Sequence, residues 1–153
     1  MILLSSILTE QRIISNLEIS SKKKLLEYIS SLFSDELQTD KKQLFNAFFD
    51  REQLSSTGIG QGIALPHARI SGIDKAYGCL LKLSNPIAFD AIDNQPIDLV
   101  FSLIVPEHAT NDHLNILASI ARFLSEKDVC NELRIANDSN DMQTCVLKHE
   151  AQA

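Results

Sequence analysis

Apolar positions in this chain fall at helical spacing in a first and a last block, with strand-like runs between them. Leu25, Leu26, Ile29, Leu32 and Phe33 share one face of a helix expected over 22–34, which Ser20 or Ser21 can cap. A second helix, from about Asp40 to Gln53, carries Leu44, Ala47 and Phe48 on one stripe. Asp40 followed by Gln43 resembles a capping box. Arg51 falls in the last turn, where the helix dipole favours a cation. The periodicity then breaks at Gly58, Gly60 and Gly62. The run 62–65 is short, apolar and closed by Pro66, so it reads as a strand leading into a turn. A second strand is expected over 77–83. The strongest is 98–105, D-L-V-F-S-L-I-V, whose near-continuous apolar character implies burial on both faces. Helices resume when Asn111 or Asp112 caps a segment to about Leu124, with Leu114, Leu117, Ala121 and Leu124 inward. Ser125 with Asp128 starts a short helix carrying Val129 and Leu133. Asp138 or Ser139 starts a last one, with Met142, Cys145 and Val146 inward. Helices, strands, then helices predict an α/β sandwich, a mixed β-sheet flanked by helices on both faces. With no repeat or linker in view, one domain over 1–153 is expected, its core at about 3–149.

At 153 residues the chain is long enough for a sizeable core. Its net charge of −6 argues against broad attraction to nucleic acid or anionic lipid, but leaves room for a small basic pocket. No apolar run reaches membrane-spanning length, so no membrane insertion is expected. The N-terminal M-I-L-L-S-S-I-L is short and lacks a basic lead, which makes it a poor signal peptide and points to the cytoplasm. Cys79, Cys130 and Cys145 are odd in number and widely spaced. They form neither a disulfide framework nor a zinc pattern and read as buried thiols.

The candidate chemistry lies between Arg51 and Arg69. G-I-G-Q-G is neither a dinucleotide fingerprint nor a Walker-type loop, so no nucleotide cofactor is expected. Gly58, Gly60 and Gly62 serve either a tight turn and close packing, or a donor-rich loop that supports a phosphate. His67 follows Pro66, which fixes the backbone just ahead of it. A neutral imidazole with one nitrogen free, the other held and cations nearby can accept a phosphoryl group. A lone loop histidine can equally be structural; Arg51, Arg69 and the glycines are what single His67 out. His113 lies near the start of its helix, where the dipole favours neutral imidazole and backbone N–H groups can bind an anion; the alternative is a solvent-facing residue. His108, in a loop, and His149, in the C-terminal tail, are given no role. His67, His113 and Asp112 could form a three-ligand metal site, but zinc-type spacings are absent and no metal is expected. The cysteines, in apolar segments, are poor nucleophiles. Lys22, Lys23 and Lys24 read as a solvated helix face. Both Pro66-His67 and 106–113 follow predicted strands and could meet at one sheet edge.

The block R-E-Q-L-S-S-T-G-I-G-Q-G-I-A-L-P-H-A-R resembles the active-site block of the IIA proteins of the bacterial phosphotransferase system, fructose/mannitol class. Ile87 to Pro106, I-A-F-D-A-I-D-N-Q-P-I-D-L-V-F-S-L-I-V-P, is similar to the nitrogen-regulatory branch of that class. So are L-S-S-I-L, S-S-K-K-K-L-L-E and D-H-L-N-I-L-A-S-I-A-R-F-L, so the resemblance covers essentially the whole chain. It implies that His67 is phosphorylated on Nε2 by an HPr-like phosphocarrier, itself charged by enzyme I from phosphoenolpyruvate. It also implies that Arg51 faces the phosphohistidine and that His113 is the second histidine beside it. Ala68 stands where relatives often have glycine. The implied output is regulation of targets, such as potassium transporters or sensor kinases, by phosphorylation state. One alternative is a sugar-specific IIA serving a IIB/IIC permease, against which the Ile87–Pro106 block argues. Another is a non-catalytic module that uses the glycine stretch as an anion or protein contact.

Overall fold

The computed structural model describes residues 3–108 and 111–150, apart from the side chains of Asp112 and His113. Among these residues a six-stranded mixed sheet is built from β1 (Ile13–Leu17), β2 (Gly58–Gly60), β3 (Ile63–Ala64), β4 (His67–Ile70), β5 (Tyr77–Ile87) and β6 (Ile97–Pro106). The order is β1-β5-β6-β3-β2, and β4 also pairs with β6. β5 and β6 are antiparallel, whereas β1 runs parallel to β5, and β3 and β4 run parallel to β6.

One face carries α1 (Lys22–Leu37) and α2 (Lys41–Leu54); the other carries α3 (Asn111–Ser125), α4 (Lys127–Ile135) and α5 (Ser139–Glu150). The pleat of β5 and β6 separates two cores. Cys79, Leu81, Leu83, Val100 and Ile104 join Leu25, Ile29, Phe33, Leu44 and Phe48 beneath α1 and α2. Leu80, Leu99, Phe101 and Leu103 join Ile116, Ile120, Leu133, Met142 and Val146 beneath the other three helices. The expected sandwich is therefore present, and all three cysteines are buried free thiols.

Local details differ from the sequence reading where a tertiary partner competes. Ser21 caps α1 by accepting from the Lys24 N–H at 3.2 Å. The helix runs past Ser34 to Leu37 and ends on Gln38 in the left-handed conformation. Asp40 caps α2 through the Lys42 N–H at 2.9 Å, but Gln43 does not close a capping box. Its amide instead donates to Ser71 Oγ at 2.7 Å. Ser125 is the last residue of α3 and bonds back to the Arg122 carbonyl, leaving α4 without a side-chain cap. Asp138 does cap α5, through the Asp141 N–H at 2.8 Å. His149 lies inside α5 rather than in a tail. β1 escapes the period-two pattern because Asn16 has φ 55° and the pairing with β5 slips between Ile14 and Leu17. The inward stripe of α3 is Ile116, Ile120, Phe123 and Leu124. Leu114 is 57% exposed, and the helix turns it toward a groove instead of the core.

Candidate functional site

β3 and β4 are two pieces of one line along β6, with Ala64 opposite Val100 and His67 opposite Leu103. Leu65 and Pro66 interrupt it. The Leu65 N–H turns aside to the Thr57 carbonyl at 2.9 Å. Pro66 has no N–H to leave unpaired. Its carbonyl accepts twice, from Leu103 N–H at 3.0 Å and from Ser102 Oγ at 2.9 Å. His67 thus opens a strand instead of sitting in a turn. Its backbone is fixed by parallel pairing with β6.

The Leu65 carbonyl meets the Nδ1 atom of His67 at 2.8 Å. A carbonyl only accepts, so Nδ1 carries the proton and Nε2 keeps its lone pair. Nε2 in turn faces the Nε–H of Arg51 at 3.3 Å. Arg51 sits in the last turn of α2 and is braced by its Nη1, which donates to the Ser55 carbonyl at 3.0 Å. Burial, and secondarily the Arg51 cation, lower the His67 pKa from its usual 6.5, against the opposing pull of the Leu65 carbonyl and Glu52. The ring is therefore neutral at pH 7, with a lone pair directed at a cation.

Behind the ring is a network that sequence spacing gave no sign of. Glu52 is buried and accepts from the Thr57 N–H at 3.1 Å and from the Thr57 hydroxyl. Lys22 neutralises it at 3.0 Å, and its ammonium lies 4.5 Å from the centre of the Phe89 ring. Lys22 is thus part of this internal brace rather than a solvated face. The brace ties α1, the end of α2 and the start of the glycine hairpin together.

The glycines themselves form the hairpin β2–β3 and do not line the groove around His67. Gly60 and Gly62 have φ of +98° and +79°, which the turn through Gln61 requires. Gly58 has ordinary φ, but a Cβ there would lie 2.8 Å from Ala91 Cβ. Their part is the turn and close packing.

The groove, about 600 Å³, is lined by Arg51, Leu54, His67, Arg69, Leu114 and Leu117 among others. Arg69 is two residues beyond His67 on β4, hence on the same side of the strand, and is exposed. His113 lies in the first turn of α3, the helix whose Leu114 and Leu117 form one wall; its side chain, like that of Asp112, lies outside the described residues. His108 is exposed in the turn after β6. Among the described residues no cluster of metal-ligating side chains includes His67. A neutral, oriented imidazole with an adjacent guanidinium, at the base of an open groove with apolar walls, suits a nucleophile that meets a phosphoryl group carried by a macromolecule.

The family model described as "Phosphoenolpyruvate-dependent sugar phosphotransferase system, EIIA 2" matches residues 6–149. The chain belongs to this family. It is thus a phosphotransferase-system EIIA type 2 component, of a kind that works with phosphocarrier partners. Among curated relatives, the nitrogen regulatory protein of Pseudomonas aeruginosa is 45% identical over 148 residues, covering 96% of this chain and 96% of the relative. The nitrogen regulatory protein of Escherichia coli K12 is 40% identical over 148 residues, covering 96% and 91%. The crystal structure of nitrogen regulatory protein IIA-Ntr from Neisseria meningitidis superposes with a TM-score of 0.89 at 35% identity, covering 95% of this EIIA chain and 99% of that one. Among the described residues no helix of the EIIA chain is long and apolar enough to cross a membrane.

Proposed function

We propose that this EIIA chain is a nitrogen-regulatory phosphocarrier that accepts a phosphoryl group on Nε2 of His67. The observation that carries the reading is the ring's orientation, Nδ1 on the Leu65 carbonyl and Nε2 facing Arg51. The donor would be an HPr-like protein phosphorylated on histidine. Nε2 attacks phosphorus in line, the new N–P bond forms, and the donor's N–P bond breaks with its electron pair returning to the donor imidazole. Nδ1–H stays on the Leu65 carbonyl, which stabilises the positive charge that the ring gains. Arg51, no longer accepted by the Nε2 lone pair, turns its N–H groups to the phosphoryl oxygens. Arg69 lies on the same side of β4 and adds positive charge at the rim. His113 would stand beside the phosphoryl group from the start of α3. The output would be regulation of targets, such as a potassium transporter or a sensor kinase, by phosphorylation state, supported by the nitrogen-regulatory names of the similar proteins.

The test is incubation with enzyme I, the carrier and phosphoenolpyruvate. Acid-labile, alkali-stable label is expected on the wild type and absent from His67→Ala. Label that persists in His67→Ala, or that passes rapidly to a fructose- or mannitol-type IIB, overturns the assignment or its regulatory destination respectively.

A further inference from the structure

Away from the groove, α4 and α5 pack side by side and bring three unlike donor groups together. Cys145 and His149 are four residues apart on α5 and so share a face, which Glu132 of α4 meets. One ligand atom from each, a carboxylate oxygen, a ring nitrogen and the thiol sulfur, lies within 4.8 Å of the other two. His149 Nε2 is 2.9 Å from Glu132 Oε1, and Lys148 Nζ is 3.0 Å from the same oxygen. Cys145 closes the inner end, its sulfur 3.8 Å from the Val129 carbonyl. Glu132 keeps a third of its side chain in solvent, so the outer end is open to an entering ion.

We propose that Glu132, Cys145 and His149 form a binding site for a zinc-class divalent cation, with water as the fourth ligand. The donor set selects the metal: sulfur and imidazole suit zinc and its tetrahedral neighbours, whereas magnesium and calcium want oxygen alone. Ligand atoms around one such ion lie about 3–4 Å apart, given bonds of about 2.0–2.3 Å. The three groups therefore need only small rotations, with His149 and Glu132 moving apart to admit the ion. The sulfur–metal bond forms as the Cys145 proton leaves to solvent. In the metal-free chain His149 donates its Nε2–H to Glu132; to bind, it loses that proton to solvent and presents the Nε2 lone pair, with Nδ1 protonated. Glu132 gives up its bond to Lys148, whose exposed ammonium moves into water. Thiolate, carboxylate and dication then sum to zero charge.

The metal-free charge states set what the exchange must overcome. Glu132 is held ionised, its pKa at about 2, by hydrogen bonds from His149 and Lys148. Burial keeps the Cys145 thiol protonated, with its pKa pushed up to about 12. A metal must displace that proton, so binding strengthens as pH rises. Once bound, the ion would staple α4 to α5, whose Val129, Leu133, Met142 and Val146 form part of the same core. The inference is independent of the His67 reading.

The experiment titrates the chelator-stripped full chain with Co²⁺ as a spectroscopic stand-in. A stoichiometric thiolate–cobalt charge-transfer band with tetrahedral visible bands is expected, bleached by Zn²⁺. It should vanish in Cys145→Ser and weaken at least tenfold in affinity in His149→Gln and Glu132→Gln, but survive in Cys130→Ser and Cys79→Ser. Zn²⁺ should raise the Tm of the wild type and not of His149→Gln. Because His149 and Glu132 are near the surface, their variants fold whether or not Cys145→Ser does. A missing band at stoichiometric Co²⁺, or a band unchanged in His149→Gln, overturns the proposal.

Discussion

His67 is held at both ring nitrogens, and the two contacts have opposite effects on its charge. The Leu65 carbonyl favours the imidazolium, while burial and the Arg51 guanidinium disfavour it and prevail. As pH falls below 6.5, the unfolded chain takes up this proton before the folded one does. Stability therefore falls on acidification, from 6.5 down to the folded-state value. In an NMR titration the His67 midpoint should lie below 6.5, and Arg51→Gln should move it upward by removing a cation; a wild-type midpoint at or above 6.5 would contradict this. At this scale the sequence supplied a good deal: Pro66-His67 and a cation in the last turn of α2 were visible in the order of residues. Glu52 and Lys22 were not, because their meeting depends on how α1 lies across the end of α2, which no local spacing encodes.

The β2–β3 hairpin shows how glycines mark an element without naming its purpose. Their alternation in G-I-G-Q-G fits either a phosphate-binding loop or tight packing, and only the positions of Ala91, Asp98 and Arg134 around them separate the two. Gly58→Ala should cost about 1–3 kcal/mol, since the new methyl meets Ala91 backbone at 2.9 Å and the strand must shift. Gly72→Ala is the contrast: its φ is +86° but nothing lies within 4 Å, so only the left-handed backbone cost of about 1–2 kcal/mol applies. Urea midpoints measure both, and Ala91→Gly in the Gly58→Ala background should recover only part of the Gly58→Ala loss, because the contact with the Ala91 Cα at 2.9 Å remains. Elements with strong period, α1, α2, β5 and β6, were legible from the pattern. β1 was not, since its bulge at Asn16 breaks the alternation that a strand is recognised by. The rotation of α3 was also hidden: Leu114 reads as a core residue by period, and its exposure makes sense only beside the groove.

At the scale of the whole molecule, the sheet separates two cores, and the groove lies where the α2 layer and the α3 layer both reach past β4. Leu54, 81% exposed at the end of α2, and Leu114 of α3 both line the groove that holds His67. Neither supports a core, so Leu54→Asp should leave Tm unchanged. It should slow phosphoryl transfer from an HPr-like carrier about tenfold or more, the effect of losing about 1–2 kcal/mol at an interface. Stopped-flow or quench transfer assays would show it, and an unchanged rate would place the docking partner elsewhere. The Pro66 carbonyl, with both lone pairs engaged by Ser102 and Leu103, has a consequence for how a modification at His67 could be read. It fixes the peptide plane that carries the histidine, so adding a phosphoryl group gives the backbone little freedom to respond. What changes instead is sign: the charged groups lining the groove, Arg51, Arg69 and Asp50, sum to +1 (two positive, one negative), and about two added negative charges make it negative. A partner that distinguishes the two forms would then be sensing potential rather than shape, and its preference should fade as ionic strength rises.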